Sequence, residues 1–181
     1  MTDPRRLKLI AIGFNTDGTG LTRVMQNIMR RLADRHEIHY LAIGYSGEII
    51  HDRGLTIYPT NPKGGDVFAA FQAKRLIEEI NPALVFIHQD IWTFGQYLRV
   101  LGPCRDRLKI VCYIPLDGKI TKEEHAAPLQ HADRIVTYTQ FARNEFEGAF
   151  DRLREKGGGG SLSVGEVLGN FPVAVLDGAR S

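Results

Sequence analysis

A stretch reading GFNTDGTGLTR follows the first apolar run of the chain and has suggestive glycine spacing. Gly13 and Gly18 are separated as in a phosphate-binding P-loop, but Thr19 and Gly20 stand where that loop carries Lys and Ser or Thr. The dinucleotide-binding pattern fails too, because Arg23 replaces its third glycine. The sequence therefore supports neither a P-loop nucleoside triphosphatase nor a dinucleotide-binding enzyme.

Two interpretations of this loop remain open. Glycines allow the backbone to approach a ligand closely, and free N–H groups at Leu21–Arg23 would favour an anion at a helix start. Under that interpretation Gly18, Thr19 and Gly20 bind substrate at the end of a strand. Under the other, the loop is a tight turn from strand to helix in which Thr19 is the N-terminal cap.

A polar triplet, His88-Gln89-Asp90, ends the fourth apolar run. Polar residues at the carboxyl end of a strand face the ligand crevice in open α/β sheets. There His88 suits a general base or a hydroxyl ligand, and Asp90 suits substrate binding. The alternative is a strand-end histidine followed by an aspartate that caps the next helix.

Asp117 and Gly118 follow the fifth apolar run. An Asp-Gly pair is a common turn sequence, which alone would explain it. Its position at a strand end also makes Asp117 a candidate crevice carboxylate. The other histidines lack the spacing of metal ligands, so the sequence predicts no metal site.

These candidates require elements to position them, and the hydrophobic pattern supplies an alternation of strands and helices. Near-continuous apolar runs of this kind are typical of parallel strands that are covered on both faces. The predicted strands are 7–12, 37–43, 55–58, 83–88, 108–114, 134–138 and 172–176. The predicted helices are 21–33, 67–80, 91–101 and 140–154. The pattern predicts an α/β fold, with a doubly wound, mostly parallel Rossmann-like sheet of about seven strands and helices on both faces.

Length and composition set wider limits. The chain has 181 residues, which fits a single domain over residues 1–181. Within it, the sequence predicts a flexible Gly-rich loop over residues 155–169 and a final strand over residues 170–178. The net charge of +2 gives no strong basic field for nucleic acid. Two cysteines and no secretory leader indicate a cytoplasmic protein. Peripheral contact with a membrane is left open.

The order of motifs resembles a known family. The strand, glycine loop and helix of residues 10–24 are similar to those at the start of GT-B glycosyltransferases, in the large retaining group that includes glycogen synthases and bacterial mannosyltransferases. The segment Ala132–Ala142, ADRIVTYTQFA, resembles the family's ADRIVT-x-S-x-F junction, with Thr139 where serine is usual. Pro172–Gly178 resembles the strand that leads to the interdomain linker. Asp117 departs from the family, because a histidine is usual after the fifth strand.

The resemblance implies the acceptor-binding, N-terminal half of a nucleotide-sugar-dependent enzyme that transfers a hexose to a hydroxyl. It implies catalytic roles for Asp117 and His88. The implied substrate-binding residues are Gly18, Thr19, Gly20, Asp90, Gly118 and Thr139. In this family a C-terminal domain holds the nucleotide-sugar donor, so the chain alone is expected to be inactive or weakly active. No cofactor is implied. The rival hypotheses are a non-catalytic ligand- or protein-binding module and an unrelated nucleotide-dependent Rossmann-like enzyme.

Overall fold

The computed structural model describes residues 6–52 and 54–156. The strands are β1 (Lys8–Phe14), β2 (Glu37–Ile43), β3 (Ile50–Asp52), β4 (Leu55–Pro59), β5 (Leu84–His88), β6 (Lys109–Ile114) and β7 (Arg134–Thr137). The α-helices are α1 (Gly20–Ala33), α2 (Ala70–Ile80), α3 (Phe94–Leu101), α4 (Glu123–Ala126) and α5 (Gln140–Glu155). Short 3₁₀ turns occupy Pro62–Gly64, Ile91–Thr93, Gly102–Arg107 and Ala127–His131.

The strands form one sheet in the order β3-β4-β2-β1-β5-β6-β7. Every neighbouring pair is parallel except β3 and β4, which are antiparallel. The chain builds outward from β1 to β4 and then returns to add β5 to β7 on the other side. Strand order therefore reverses beside β1, the place where open α/β sheets bind ligands. The predicted fold class is confirmed.

Side chains on the parallel strands alternate between two apolar layers. On β1, Ile10 and Ile12 belong to the apolar layer that also contains side chains of α2, α3 and α5, whereas Leu9 and Ala11 belong to the layer that contains side chains of α1. Because both faces are buried, the strands are apolar almost throughout, which is why the sequence showed runs rather than alternation. This burial fixes the register of each strand, and so fixes which side chains its carboxyl end presents.

The buried Met25 side chain of α1 packs directly against Gly13 on β1. A Cβ atom added to Gly13 would come within 2.9 Å of Met25 Cγ and 3.0 Å of Met25 Cε. Gly13 is therefore needed for the contact between strand and helix. The first glycine of the suggestive loop has a packing role.

Several features of the fold differ from the predictions. The helix predicted over 91–101 starts with a 3₁₀ turn at Ile91–Thr93, and α3 begins at Phe94. The antiparallel strand β3 was not predicted, because its three residues are all exposed and carry no buried pattern. The helix predicted from Val67 begins at Ala70, because the Asp66 carboxylate accepts hydrogen bonds from the N–H groups of Phe71 and Gln72. The predictions for residues 157–181, including the Gly-rich loop and the final strand, lie outside the described residues.

Candidate functional site

The predicted site residues lie at the carboxyl edge of the sheet, and they follow strands β1, β5, β6 and β7. These four strands are consecutive neighbours. Neighbouring strands are about 4.8 Å apart, so the four strand ends span roughly 14 Å. One edge of the sheet thus presents the glycine loop, His88, Asp90, the Asp117-Gly118 turn and Thr139.

The glycine loop is open on its outer side. Gly18 has a φ of 83°, which favours glycine. A Cβ atom placed on Gly18 or on Gly20 would meet no heavy atom of the described residues within 4 Å. A ligand therefore has room to approach the backbone at both positions.

The inner side of the loop is held by threonines. Thr19 caps α1, since its hydroxyl accepts a hydrogen bond from Thr22 N at 3.2 Å. Thr22 is buried, and its hydroxyl accepts from Thr16 N at 3.0 Å. The N–H of Arg23 bonds to the Thr19 carbonyl. The prediction of free N–H groups over Leu21–Arg23 is therefore wrong for Thr22 and Arg23, because the cap uses both donors.

His88 is buried at the end of β5, with 1% of its surface exposed. Its Nε2 is hydrogen-bonded to the Tyr138 hydroxyl, and its Nδ1 has no partner in the described part of the chain. Burial lowers the pKa of His88 to about 4, because a charged imidazole would lose its hydration. The imidazole is therefore neutral near pH 7.

Two tyrosines that the sequence analysis did not single out complete a stack with His88. The ring of Tyr113 lies 5.1 Å from His88 and 4.7 Å from Tyr138, measured between centroids. Burial raises the pKa of the Tyr138 hydroxyl, and the charges of Tyr113 and Asp90 raise it further. The register of the strands places Tyr113 beside His88, since the two residues pair directly across β5 and β6. The sequence alone does not show this register, which is why the tyrosines were missed.

Asp90, Asp117 and Gly118 are more accessible than His88. Asp90 is half-buried and precedes the 3₁₀ turn at Ile91, but its side chain makes no capping hydrogen bond. Asp117 and Gly118 are exposed in the turn after β6, and a Cβ atom on Gly118 would meet no atom within 4 Å in the part of the chain that the structure describes. Within the described residues neither carboxylate forms an ion pair. Both are therefore available to accept hydrogen bonds from ligand hydroxyls.

Thr139 has a structural role at the start of α5. Its hydroxyl accepts a hydrogen bond from Ala142 N at 3.1 Å, which makes it the cap of the helix. The same sequence motif contains Asp133, at the opposite edge of the sheet. The Asp133 carboxylate accepts from Ile110 N at 2.8 Å and forms ion pairs with Arg105 and Lys109. Burial acts to raise the pKa of Asp133, but these donors outweigh it and lower the pKa.

Residues 6–52 and 54–156 contain no group of three or more His, Cys, Asp or Glu side chains arranged to hold a metal ion. Among the helices of the described chain, none combines the length and apolar character needed to cross a bilayer.

Comparison with known proteins adds information at the level of the fold. No family model matches the chain, and no curated protein matches it in sequence. The α,α-trehalose 6-phosphate synthase of Burkholderia multivorans matches 97% of this chain with a TM-score of 0.57 and 13% identity. The UDP-forming α,α-trehalose-phosphate synthase of Burkholderia xenovorans, in complex with glucose-6-phosphate, matches 78% with a TM-score of 0.50 and 9% identity.

The extent of these matches limits what they show. This chain covers 53% of the first protein and 42% of the second, so it spans about half of their length. At such low identity the likeness establishes the fold alone, which is that of one half of a GT-B glycosyltransferase.

Proposed function

We propose that this chain is the acceptor-binding part of a nucleotide-sugar-dependent glycosyltransferase that transfers a hexose to a hydroxyl group. One observation carries the proposal. The available carboxylates of Asp90 and Asp117 follow adjacent strands, beside an open glycine loop at the switch point of the sheet. Carboxylates suit the hydroxyls of a sugar, and open glycines suit close approach of the donor or acceptor to the backbone. The likeness to half of a GT-B enzyme supports the same conclusion.

In the proposed reaction, an acceptor hydroxyl oxygen forms a bond to the anomeric carbon of the hexose. The bond from that carbon to the nucleotide diphosphate breaks at the same centre. Asp117 accepts a hydrogen bond from the attacking hydroxyl and takes its proton, while the diphosphate leaves with the electron pair of the broken bond. Asp90 orients a neighbouring hydroxyl. His88 is too buried to meet the substrate directly. Its proposed part is to position the hydroxyl of Tyr138, which is half-buried at the same edge.

The proposal assigns the nucleotide to a second Rossmann-like unit, as in the group of glycogen synthases and mannosyltransferases. A departing diphosphate needs positive charge and hydrogen-bond donors around it. Among the predicted site residues of this chain there is no Lys or Arg to supply that charge. We therefore expect the chain alone to transfer sugar weakly or not at all.

Calorimetry tests the proposal. We expect the chain to bind acceptor sugars weakly and to show little affinity for UDP-, GDP- or ADP-sugars. Asp90→Asn combined with Asp117→Asn should weaken acceptor binding at least tenfold, about 1.4 kcal/mol, because two charged acceptors are lost. Asp106→Asn is the matched control, since Asp106 is exposed before the start of β6, at the opposite edge. Tight binding of NAD or ATP, or acceptor binding unchanged in the double variant, would contradict the proposal.

A further inference from the structure

A second recess opens at the carboxyl edge, beyond the glycine loop and away from His88. It is a cleft of about 590 Å³, within the size range of small-molecule sites. Tyr45, which follows β2, and Thr60, which follows β4, form part of its wall. Lys63 lies in the loop after β4, and Gln72 and Arg75 are on α2. The sequence analysis did not single out any of these residues.

Hydrogen bonds between its own walls hold the cleft in shape. Thr60 N donates to the Tyr45 carbonyl at 2.9 Å, and the buried Thr60 hydroxyl donates to the Ala42 carbonyl. The Tyr45 hydroxyl donates to the Glu48 carbonyl at 2.7 Å. The side chain of Gln72 donates to the Pro59 carbonyl at 2.7 Å. The ends of β2 and β4 and the start of α2 are thus tied together around the recess.

The cleft carries uncompensated positive charge. Lys63 and Arg75 are exposed, and within the described ranges neither forms an ion pair with a carboxylate. Among the residues that the structure describes, no Asp or Glu lines the recess. The carboxylate of Asp66, in the same loop as Lys63, accepts from the N–H groups of Phe71 and Gln72. Two cations that converge on one recess favour an anion, and a phosphate monoester brings about two negative charges at neutral pH.

The cleft adjoins the glycine loop. Asn15 N donates to the Ile43 carbonyl at 2.7 Å, which joins the loop to the end of β2. A Cβ atom on Gly44 would lie 2.8 Å from the Thr16 hydroxyl oxygen, so the loop touches the residue that opens the cleft. An anionic group in the cleft can therefore belong to a ligand whose other end lies over the glycine loop.

We propose that this cleft binds the phosphate monoester of a phosphorylated sugar, with Lys63 and Arg75 as its charged ligands. The inference rests on the proposed function, because it names the chemical class of the acceptor. The guanidinium of Arg75 suits two phosphate oxygens at once, and the ammonium of Lys63 supplies a point charge. The sugar hydroxyls then extend towards the glycine loop and Asp90, and the phosphate fixes which hydroxyl is presented.

The test compares matched ligands on the full chain by calorimetry. Glucose 6-phosphate should bind at least tenfold more tightly than glucose, and Lys63→Gln combined with Arg75→Gln should remove at least a tenfold share of that preference. Lys8→Gln combined with Arg99→Gln removes the same charge elsewhere on the surface and should leave the preference intact. Thermal melting confirms that both double variants fold. Equal binding of glucose and its phosphate, or a preference unchanged in the Lys63/Arg75 variant, would overturn the inference.

Further ligands separate the sources of negative charge. Glucuronate should bind more weakly than glucose 6-phosphate, because it carries one charge. Binding that is as tight for glucuronate would overturn the assignment to phosphate. Vesicles of phosphatidylcholine with and without phosphatidic acid test for a lipid phosphate. Binding to phosphatidic acid vesicles but not to the soluble sugar phosphate would overturn the assignment to a sugar.

The inference and the proposed function can fail separately. Phosphate-dependent binding through Lys63 and Arg75, without any effect of Asp90→Asn and Asp117→Asn, would leave the cleft standing and contradict the acceptor site. Loss of acceptor binding in the aspartate variants, without any preference for a phosphate, would support the acceptor site and contradict the phosphate cleft.

Discussion

The polar residues at the carboxyl edge differ in how far they reach the solvent. His88 is 1% exposed and hydrogen-bonded to Tyr138, whereas Asp117 stands free in an exposed turn. A ligand hydroxyl at this edge would therefore meet carboxylates and a tyrosine hydroxyl before it met the imidazole. The residue type suggested that His88 would act as a base, but its burial favours a positioning role.

Burial of His88 makes the stability of the chain depend on pH. The folded pKa of about 4 lies below the ordinary value of 6.5, so between these values the unfolded chain binds more protons. Stability from this residue is present above the ordinary pKa and is lost as pH falls towards the folded pKa. Between about pH 7.5 and pH 5 the loss should be about 2 kcal/mol.

His88→Gln isolates that contribution. Glutamine can still hydrogen-bond to the Tyr138 hydroxyl, but it does not titrate. Urea unfolding at a series of pH values should give a flatter profile for the variant than for the parent chain, by about 2 kcal/mol over the same interval. Parallel profiles would show that His88 is not the group that titrates, whatever the absolute stability of the variant.

Among the elements, the first strand and helix show why glycines of one loop serve different purposes. Gly13 allows α1 to pack against β1, whereas Gly20 faces open space. Gly13→Ala should therefore cost about 1–3 kcal/mol, because Met25 or the helix must move. Gly20→Val should change the free energy of unfolding by no more than about 0.5 kcal/mol.

Urea unfolding of the two variants checks this contrast, and circular dichroism checks the helix content. Equal stability of Gly13→Ala and the parent chain would contradict the tight packing of Met25 against Gly13. In a protein that performs the proposed transfer, Gly20→Val should abolish activity although the fold persists. Full activity would show that the loop is only a turn.

The elements that sequence could predict are those whose pattern is local. Strands β1, β5 and β6 are buried on both faces, so their apolar runs marked them to within a residue or two. Strand β3 could not be found in this way, because its three residues are exposed and what identifies it as a strand is its pairing with β4. The start of α2 depends on the hydrogen bonds that the Asp66 carboxylate accepts. The spacing of apolar residues along the helix does not reveal these bonds.

The features of the candidate site also divide into those that the sequence could predict and those that it could not. Strand-end position correctly placed Asp90 and Asp117 at one edge of the sheet. The stack of His88 with Tyr113 and Tyr138 needs the register of three strands, which the sequence does not display. The cleft at Lys63 is formed by elements that are distant in the chain, so its positive charge can be identified from the folded structure but not from the sequence.

Over the whole molecule, the charged side chains at the two edges of the sheet differ in whether they form ion pairs. At the amino edge, Asp133 is paired with Arg105 and Lys109, which ties β6 to β7. At the carboxyl edge of the described chain, Asp117 and Lys63 lack ionic partners. The cleft after β2, the loop after β1 and Asp90 after β5 lie within two strand spacings, about 10 Å. A sugar phosphate has a suitable length to contact all three.

The single tryptophan of the chain can report which edge a ligand occupies. Trp92 is 55% exposed, follows Asp90 in the turn after β5, and meets the ring of Phe68 edge-on at 5.2 Å. Another recess in the described chain, about 440 Å³ lined by Arg30 and Asp34 among others, lies where α1 ends, at the amino edge. Acrylamide should therefore quench Trp92 readily in the free chain and less readily when an acceptor is bound. Trp92→Phe should abolish the signal and leave the unfolding midpoint unchanged. If calorimetry detects acceptor binding while quenching stays the same, the ligand does not cover the edge at Trp92, and the acceptor site proposed beside Asp90 is wrong.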